Sequence, residues 1–229
     1  MAADHIGKRD VCRQGFANAE ALAGVGLSAD QLAAAIVGTY RLLDRIDATL
    51  VADGVEPLCQ VVELANLSSM IGNVLGAELA KASNGLYKRN GPHKFPDLLP
   101  VHPNAAKSGI EIKMALNRNN AKGHLAKEGQ YLICRYLLVD AEGKGCVEKV
   151  DRPRACRPVI WEVRTGYLED RHFNISNTDG DSGKTAVVNA DGMERLKVVY
   201  VDLEMIPGSR RGATYQAYQA LFTASPPLI

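Results

Sequence analysis

No run in this chain reaches the ~18 consecutive apolar residues that a membrane-crossing helix needs, and the opening MAADHIGKRD lacks the hydrophobic centre of a signal peptide. The expected location is therefore the cytoplasm, with no membrane as partner. Cysteine is sparse and scattered. Cys12, Cys59, Cys134, Cys146 and Cys156 include no Cys-x-x-Cys pair, and His93, His102, His124 and His172 fall at no ligand spacing with them. This speaks against a zinc site. Cys59 and Cys134 lie in apolar helix and strand patterns, where core packing accounts for them. A nucleotide-binding phosphate loop is missing too. Gly183-Lys184-Thr185 has the right ending, but the first glycine of the motif is missing: the position five residues before Gly183 is Thr178, followed by Asp179. The aspartates of that stretch also miss the calcium-loop spacing, so it reads as a flexible polar loop.

Charge of one sign is equally absent. Against 27 Lys and Arg stand 26 Asp and Glu, a net charge of +1, which argues against a protein that coats nucleic acid non-specifically. The basic residues nevertheless cluster: Lys88-Arg89, then Arg118, Lys122 and Lys127, then Lys149 to Arg157, then Arg210-Arg211. A basic cleft offset by an acidic site fits that distribution.

At 229 residues, 46% of them hydrophobic, the chain can bury one sizeable core, and a single domain with elaborations is expected. A short helix is expected around Cys12–Leu22. Ser28, with Gln31 three residues on, forms a capping box for a long helix that Gly54 closes. Its stripe of Leu32, Ala35, Ile36, Tyr40, Leu43, Ile46 and Leu50 serves either as a dimer surface or to pack on the next helix. That second helix is predicted from Pro57 to about Ser83, with Asn84-Gly85 as its stop signal. Gly72 and Gly76 in its middle imply that another backbone approaches closely.

The chemistry concentrates between Lys94 and Leu116. Gly109-Ile110-Glu111-Ile112-Lys113-Met114-Ala115-Leu116 alternates with period two, as a half-buried strand does, placing Glu111 and Lys113 on one face about 7 Å apart. If the Asp97 segment pairs with this strand as a hairpin arm, Asp97 meets Glu111. Two carboxylates so placed require either a proton or a hard cation between them. A magnesium ion held by carboxylates, with a lysine beside its water, suits phosphodiester hydrolysis.

Pro96-Asp97 followed by Glu111-Ile112-Lys113 resembles the signature of the PD-(D/E)xK nuclease superfamily, which includes most type II restriction endonucleases. The resemblance spans roughly residues 57–139 as an ordered series of elements. It implies an α/β fold, a mixed sheet flanked by helices: a restriction-endonuclease-like core over residues 56–205, with an N-terminal helical region over 1–55 and a C-terminal extension over 206–229. It also implies magnesium-dependent cleavage of double-stranded DNA, with Asp97, Glu111 and the Ile112 carbonyl holding the metal and Lys113 orienting or activating water. A helical glutamate often supports such a site. Glu78, on the edge of its helix's apolar stripe, resembles that position, and Glu63 competes for it.

The following Asn117-Arg118-Asn119-Asn120-Ala121-Lys122-Gly123-His124 is rich in groups that hydrogen-bond base edges or phosphates. Asn117, Arg118, Asn119, Lys122 and His124 are therefore candidate DNA contacts, as are Lys184, Arg210 and Arg211, while a solvated loop explains the stretch equally well. Gln130–Asp140 reads as a central strand buried on both faces. Val159–Val163 reads as a strand whose other face carries Glu162 and Arg164, Leu196–Asp202 as another short strand, and Thr214–Leu221 as a brief helix. A restriction enzyme cutting palindromic DNA pairs two subunits about a two-fold axis, so a homodimer is expected. The competing readings are a repair or transposition nuclease and a non-catalytic DNA-binding module.

Overall fold

In the computed structural model, which describes residues 9–140, 143, 157–176, 185–208 and 212–223, the chain opens with a 3-10 turn at Arg13–Gly15 and helix α1 (Ala19–Ala23). The single helix expected over Cys12–Leu22 is thus divided, because Asn18 takes the left-handed conformation at φ 47°. Helix α2 (Ala29–Ala52) begins with the anticipated capping box. The Ser28 hydroxyl accepts from the Gln31 N–H, and the Gln31 side chain accepts from the Ser28 N–H.

The second predicted helix is corrected to two pieces, α3 (Leu58–Val61) and α4 (Leu64–Ala82). Between them Val62 and Glu63 are extended. The adjacent β-branched Val61 and Val62 lower helix propensity where the chain turns.

Five strands then follow: β1 (Tyr87–Arg89), β2 (Leu98–Pro100), β3 (Glu111–Leu116), β4 (Lys122–Gly123) and β5 (Gly129–Val139). Next come β6 (Arg157–Leu168), β7 (Phe173–Ser176), β8 (Thr185–Val188), helix α5 (Ala190–Arg195), β9 (Lys197–Val201) and helix α6 (Ala213–Thr223). The main sheet has the order β3-β5-β6-β9, with β3 parallel to β5 and the other pairs antiparallel. The fold is therefore mixed α/β with flanking helices, as expected. A smaller antiparallel sheet, β4-β8-β7, and the ribbon β1-β2 complete it. β7 and β8 were not foreseen, and they enclose the stretch that the sequence presents only as loop.

Burial divides the main sheet into two faces. Leu132, Cys134, Tyr136, Ile160 and Val163 pack with α2 and α4. On the opposite face, Tyr131 and Ile133 join Val188, Met193 and Leu196, and Trp161 stacks edge-on with Tyr218 of α6.

Leu32, Ala35, Ile36, Tyr40 and Leu43, the centre of the α2 stripe, are buried inside the chain, and the Tyr40 hydroxyl accepts from the Ile160 N–H at 2.8 Å. The use of α2 as a dimer surface is corrected accordingly. Its apolar face is engaged with α4 and the sheet. The close approach expected of a backbone at Gly72 and Gly76 is corrected to one by side chains: a methyl group on Gly76 would stand 3.3 Å from Ile112 Cδ1 and 3.0 Å from the Arg89 guanidinium, and one on Gly72 would stand 3.2 Å from Met114 Cγ. Among the described residues, no helix is long and apolar enough to cross a membrane.

Candidate metal and nuclease site

The Asp97 segment reaches β3 through one antiparallel bridge, Leu98 to Ile110, in which each N–H donates to the other's carbonyl at 3.0 Å. Continued by one residue, this register sets Asp97 opposite Glu111. Asp97 Oδ2 accepts the Ile112 N–H at 2.8 Å, closing the corner. The Ile112 amide therefore points away from β5, and its carbonyl shares that edge, because N–H and C=O of one strand residue point the same way. The Ile112 side chain goes to the opposite face, against α4.

Glu111 and Lys113 share a face as the alternation requires, and Lys113 Nζ stands 2.6 Å from Glu111 Oε1. The other oxygen, Oε2, is buried and has no hydrogen-bond partner. Burial raises the Glu111 pKa above its ordinary value against the opposing pull of Lys113, while Asp97 acts both ways, its charge raising the pKa and its backbone N–H lowering it. A carboxylate at 8% exposure with one oxygen unanswered is costly, and a cation beside Asp97 would answer it.

Tyr131 lies in register with Glu111 on the neighbouring strand. Its hydroxyl donates to the Lys127 carbonyl at 2.8 Å, and its ring tilts against Phe95 and Phe173 with centroids 6.5 and 5.8 Å away. Burial, then the charges of Glu111, Asp170 and Asp97, push the phenol well above its ordinary pKa, so it stays a neutral donor. Lys127 Nζ sits 4.9 Å above the Phe95 ring, which holds a cation beside the Asp97 corner. Sequence reasoning missed Tyr131, Lys127 and Asp170 as neighbours of the site. Tyr131 is indistinguishable from a core aromatic in an apolar run, and Asp170 from a surface turn.

Not every expected residue arrives here. Glu78 is corrected. Its carboxylate pairs with Lys81 at 2.5 Å and lies where a side chain on Gly38 of α2 would be, toward the helical layer. Glu111 projects from the other face of β3, so the sheet stands between the two acids. Glu63 is exposed at the start of α4 and is not brought to the cluster either.

The Asn117–His124 stretch is corrected from a solvated loop to a partly built-in segment. The Asn117 carbonyl accepts from Trp161 Nε1 at 3.1 Å, and the Asn119 carbonyl accepts from Arg135 Nε at 3.1 Å. Asn120 bonds both Arg135 and the Val188 carbonyl. Arg118, Lys122 and His124 remain exposed, with Arg118 beside Gly208. Lys184, Arg210 and Arg211 lie outside the described residues.

Glu162, expected on a polar strand face, is fully buried and receives Arg135 Nη1 at 3.0 Å, Arg164 Nε at 2.7 Å and the Tyr218 hydroxyl. Nothing in a Glu-Val-Arg triplet distinguishes that network from a solvated edge.

Asp97, Glu111 and the Ile112 carbonyl are the groups here that could serve a hard cation such as magnesium, which completes its shell with water. Among the described residues, no group of three or more His, Cys, Asp or Glu side chains is arranged to hold a metal. A cleft of about 520 Å³ opens elsewhere, lined by Gln130, Thr165, Tyr167, Arg195 and Lys197 among others, and neither carboxylate lines it. No protein-family model and no curated protein matches the chain.

Proposed function

We propose that this protein is a magnesium-dependent endonuclease acting on double-stranded DNA, of the type II restriction kind. The observation that carries the reading is the meeting of Asp97, Glu111 and Lys113 at one corner, with a buried Glu111 oxygen that no protein group answers. Asp97, Glu111 and the Ile112 carbonyl would hold the ion. Bound there, magnesium supplies Lewis-acid polarisation and acidifies water.

The chain's own residues do the rest. Lys113 is half-buried and tethered by Glu111, so its ammonium is aimed rather than free to wander. It donates hydrogen bonds to the attacking water or to a non-bridging phosphate oxygen, where negative charge develops. Lys127, Lys122 and Arg118 supply the positive potential that holds the DNA backbone.

Supercoiled mixed-sequence plasmid incubated with magnesium, or with chelator, tests this. Discrete fragments that need magnesium support the restriction reading, a smear supports a repair or transposition nuclease, and intact plasmid under all conditions refutes nuclease activity.

Two observations favour the alternatives. The Lys113–Glu111 ion pair balances one carboxylate without metal, as a non-catalytic DNA-binding module would require. The internal position of the α2 stripe takes away the most obvious pairing surface, as a monomeric repair-type nuclease would require. Sedimentation with and without DNA separates monomer from homodimer.

A further inference from the structure

Strand register brings together the side chains that line the cleft of about 520 Å³. Gln130 of β5 stands directly opposite Tyr167 of β6, and Leu132 stands opposite Thr165, which in turn faces Lys197 of β9. Opposed residues of antiparallel strands share a face. Leu132 packs with α2 and α4, so Gln130, Thr165, Tyr167 and Lys197 belong to that side of the sheet. Tyr131, next along β5, goes with its register partner Glu111 to the other side. The cleft and the acidic corner therefore lie on opposite faces. α1 and the turn after it supply a further wall, and Arg195 at the end of α5 completes the lining together with Glu194.

Hydrogen bonding fixes what the floor presents. The buried Thr165 hydroxyl donates to the Tyr131 carbonyl at 2.9 Å, which leaves its oxygen to accept, and Gln130 Nε2 donates to it at 3.0 Å. The Gln130 amide is thereby oriented. Its nitrogen is engaged and its Oε1 is left as an acceptor at the cleft.

The rim is cationic and aromatic. Arg195 and Lys197 are exposed, and among the described residues neither is paired with an acid, Glu194 included. Tyr167 is 42% exposed, so its ring is open to a planar group. The volume lies within the range of roughly 300–1,000 Å³ in which small-molecule clefts fall.

We propose that this cleft binds a nucleotide whose base carries an exocyclic amino group, as an adenine nucleotide does. Its phosphate sits at Arg195 and Lys197, its base lies against Tyr167, and its amino group donates to Gln130 Oε1. A guanidinium fork and an ammonium together suit a phosphate dianion. An oriented amide oxygen accepts from an amino group and repels a keto oxygen in the same place, which sets adenine apart from hypoxanthine. The site owes nothing to the nuclease reading.

The test is isothermal titration of the full chain in chelator, so that no divalent ion is held at the acidic corner. AMP, IMP, adenosine and inorganic phosphate serve as probes. AMP binds, and IMP binds more weakly on the order of tenfold, because it leaves the Gln130 oxygen unanswered. Tyr167→Ser weakens AMP on the order of tenfold. Arg195→Gln combined with Lys197→Gln removes binding, and Gln130→Leu removes the preference for AMP over IMP. The three rim side chains are exposed, so Tyr167→Ser and the double substitution keep the wild-type Tm and report on the ligand rather than on folding. A short oligodeoxyadenylate distinguishes the source: competing more tightly than AMP, it assigns the nucleotide to a strand, and competing less tightly, to a free molecule.

No binding of AMP up to about 1 mM overturns the proposal. So does inorganic phosphate binding as tightly as AMP, or AMP binding that survives the double substitution. A chain that cuts no DNA removes the nuclease reading and leaves this proposal standing. A chain that cuts DNA and binds no AMP removes this proposal alone.

Discussion

Lys113 Nζ lies 2.6 Å from one carboxylate oxygen of Glu111, while the other oxygen of the same group is buried without a partner. The side chain is answered on one side only. A strand with period two forces the first half of this arrangement, since residues i and i+2 share a face. The second half comes from the Asp97 arm, which covers the strand's outer edge through the Leu98–Ile110 bridge and the bond to the Ile112 N–H.

On the proposed nuclease reading, Asp97→Ala, Glu111→Gln and Lys113→Ala should each lower plasmid cleavage by at least about 100-fold while leaving DNA affinity nearly unchanged, because phosphate contacts would supply most of that affinity. Gel-shift and cleavage assays on the same preparations separate the two. Wild-type cleavage by any one of the three removes that residue from the site.

Glu111 should cost the protein stability at neutral pH. Its folded pKa is raised, chiefly by burial, so the folded state favours the protonated form. The stabilising contribution is complete below the unfolded value, near 4.5, and is lost as pH rises through the folded one. Glu111→Gln should therefore melt above wild type at pH 8, with the gap closing toward pH 4. Thermal melts across that range check it, and a variant melting lower at pH 8 contradicts the proposed burial cost.

Magnesium should raise the melting temperature of the wild-type chain and leave Glu111→Gln and Asp97→Ala unmoved. An ion that binds only the folded state stabilises it by about 2.7 kcal/mol at a hundredfold excess over Kd. Equal shifts in all three proteins would mean that the cation binds elsewhere.

Glu162→Gln should be among the most damaging substitutions. It leaves Arg135 and Arg164 buried against a neutral amide, and breaking a buried pair in this way costs on the order of 3–5 kcal/mol. Urea unfolding should show a lower midpoint with an unchanged slope.

Glu78→Gln and Glu63→Gln should both leave cleavage within about twofold of wild type, since the sheet separates the one from Glu111 and the other is exposed at a helix start. A large loss for Glu78→Gln alone would show that the α4 layer moves when DNA binds.

The elements with strong periodicity were legible in the sequence. The capping box at Ser28, the alternation over Ile110–Leu116 and the apolar run of β5 all stand where their patterns put them. The Asp97–Glu111 meeting was legible only as the consequence of pairing the two segments: the arm's main partner is β1, and a single bridge joins it to β3. What was not legible depends on contacts distant in sequence. β3 takes β5 as its parallel neighbour across a connection with no helix, and nothing local announces β4, which pairs with a strand more than sixty residues away. Glu78 illustrates the limit best: helical spacing gives the edge of the stripe it occupies, but not whether that edge faces the sheet or α2.

Gly76 carries a consequence for engineering. With no side chain of its own, it lets α4 settle against Ile112, the residue whose amide binds Asp97 and whose carbonyl borders the acidic corner. α4 therefore works as a shim behind the strand, and its thickness is set by an omitted methyl group. An added methyl would meet the Arg89 guanidinium at 3.0 Å and Ile112 Cδ1 at 3.3 Å, so those two side-chain ends would have to give way. Substitutions at the back of the sheet can therefore alter the support behind Ile112 while Asp97, Glu111 and Lys113 themselves stay unchanged.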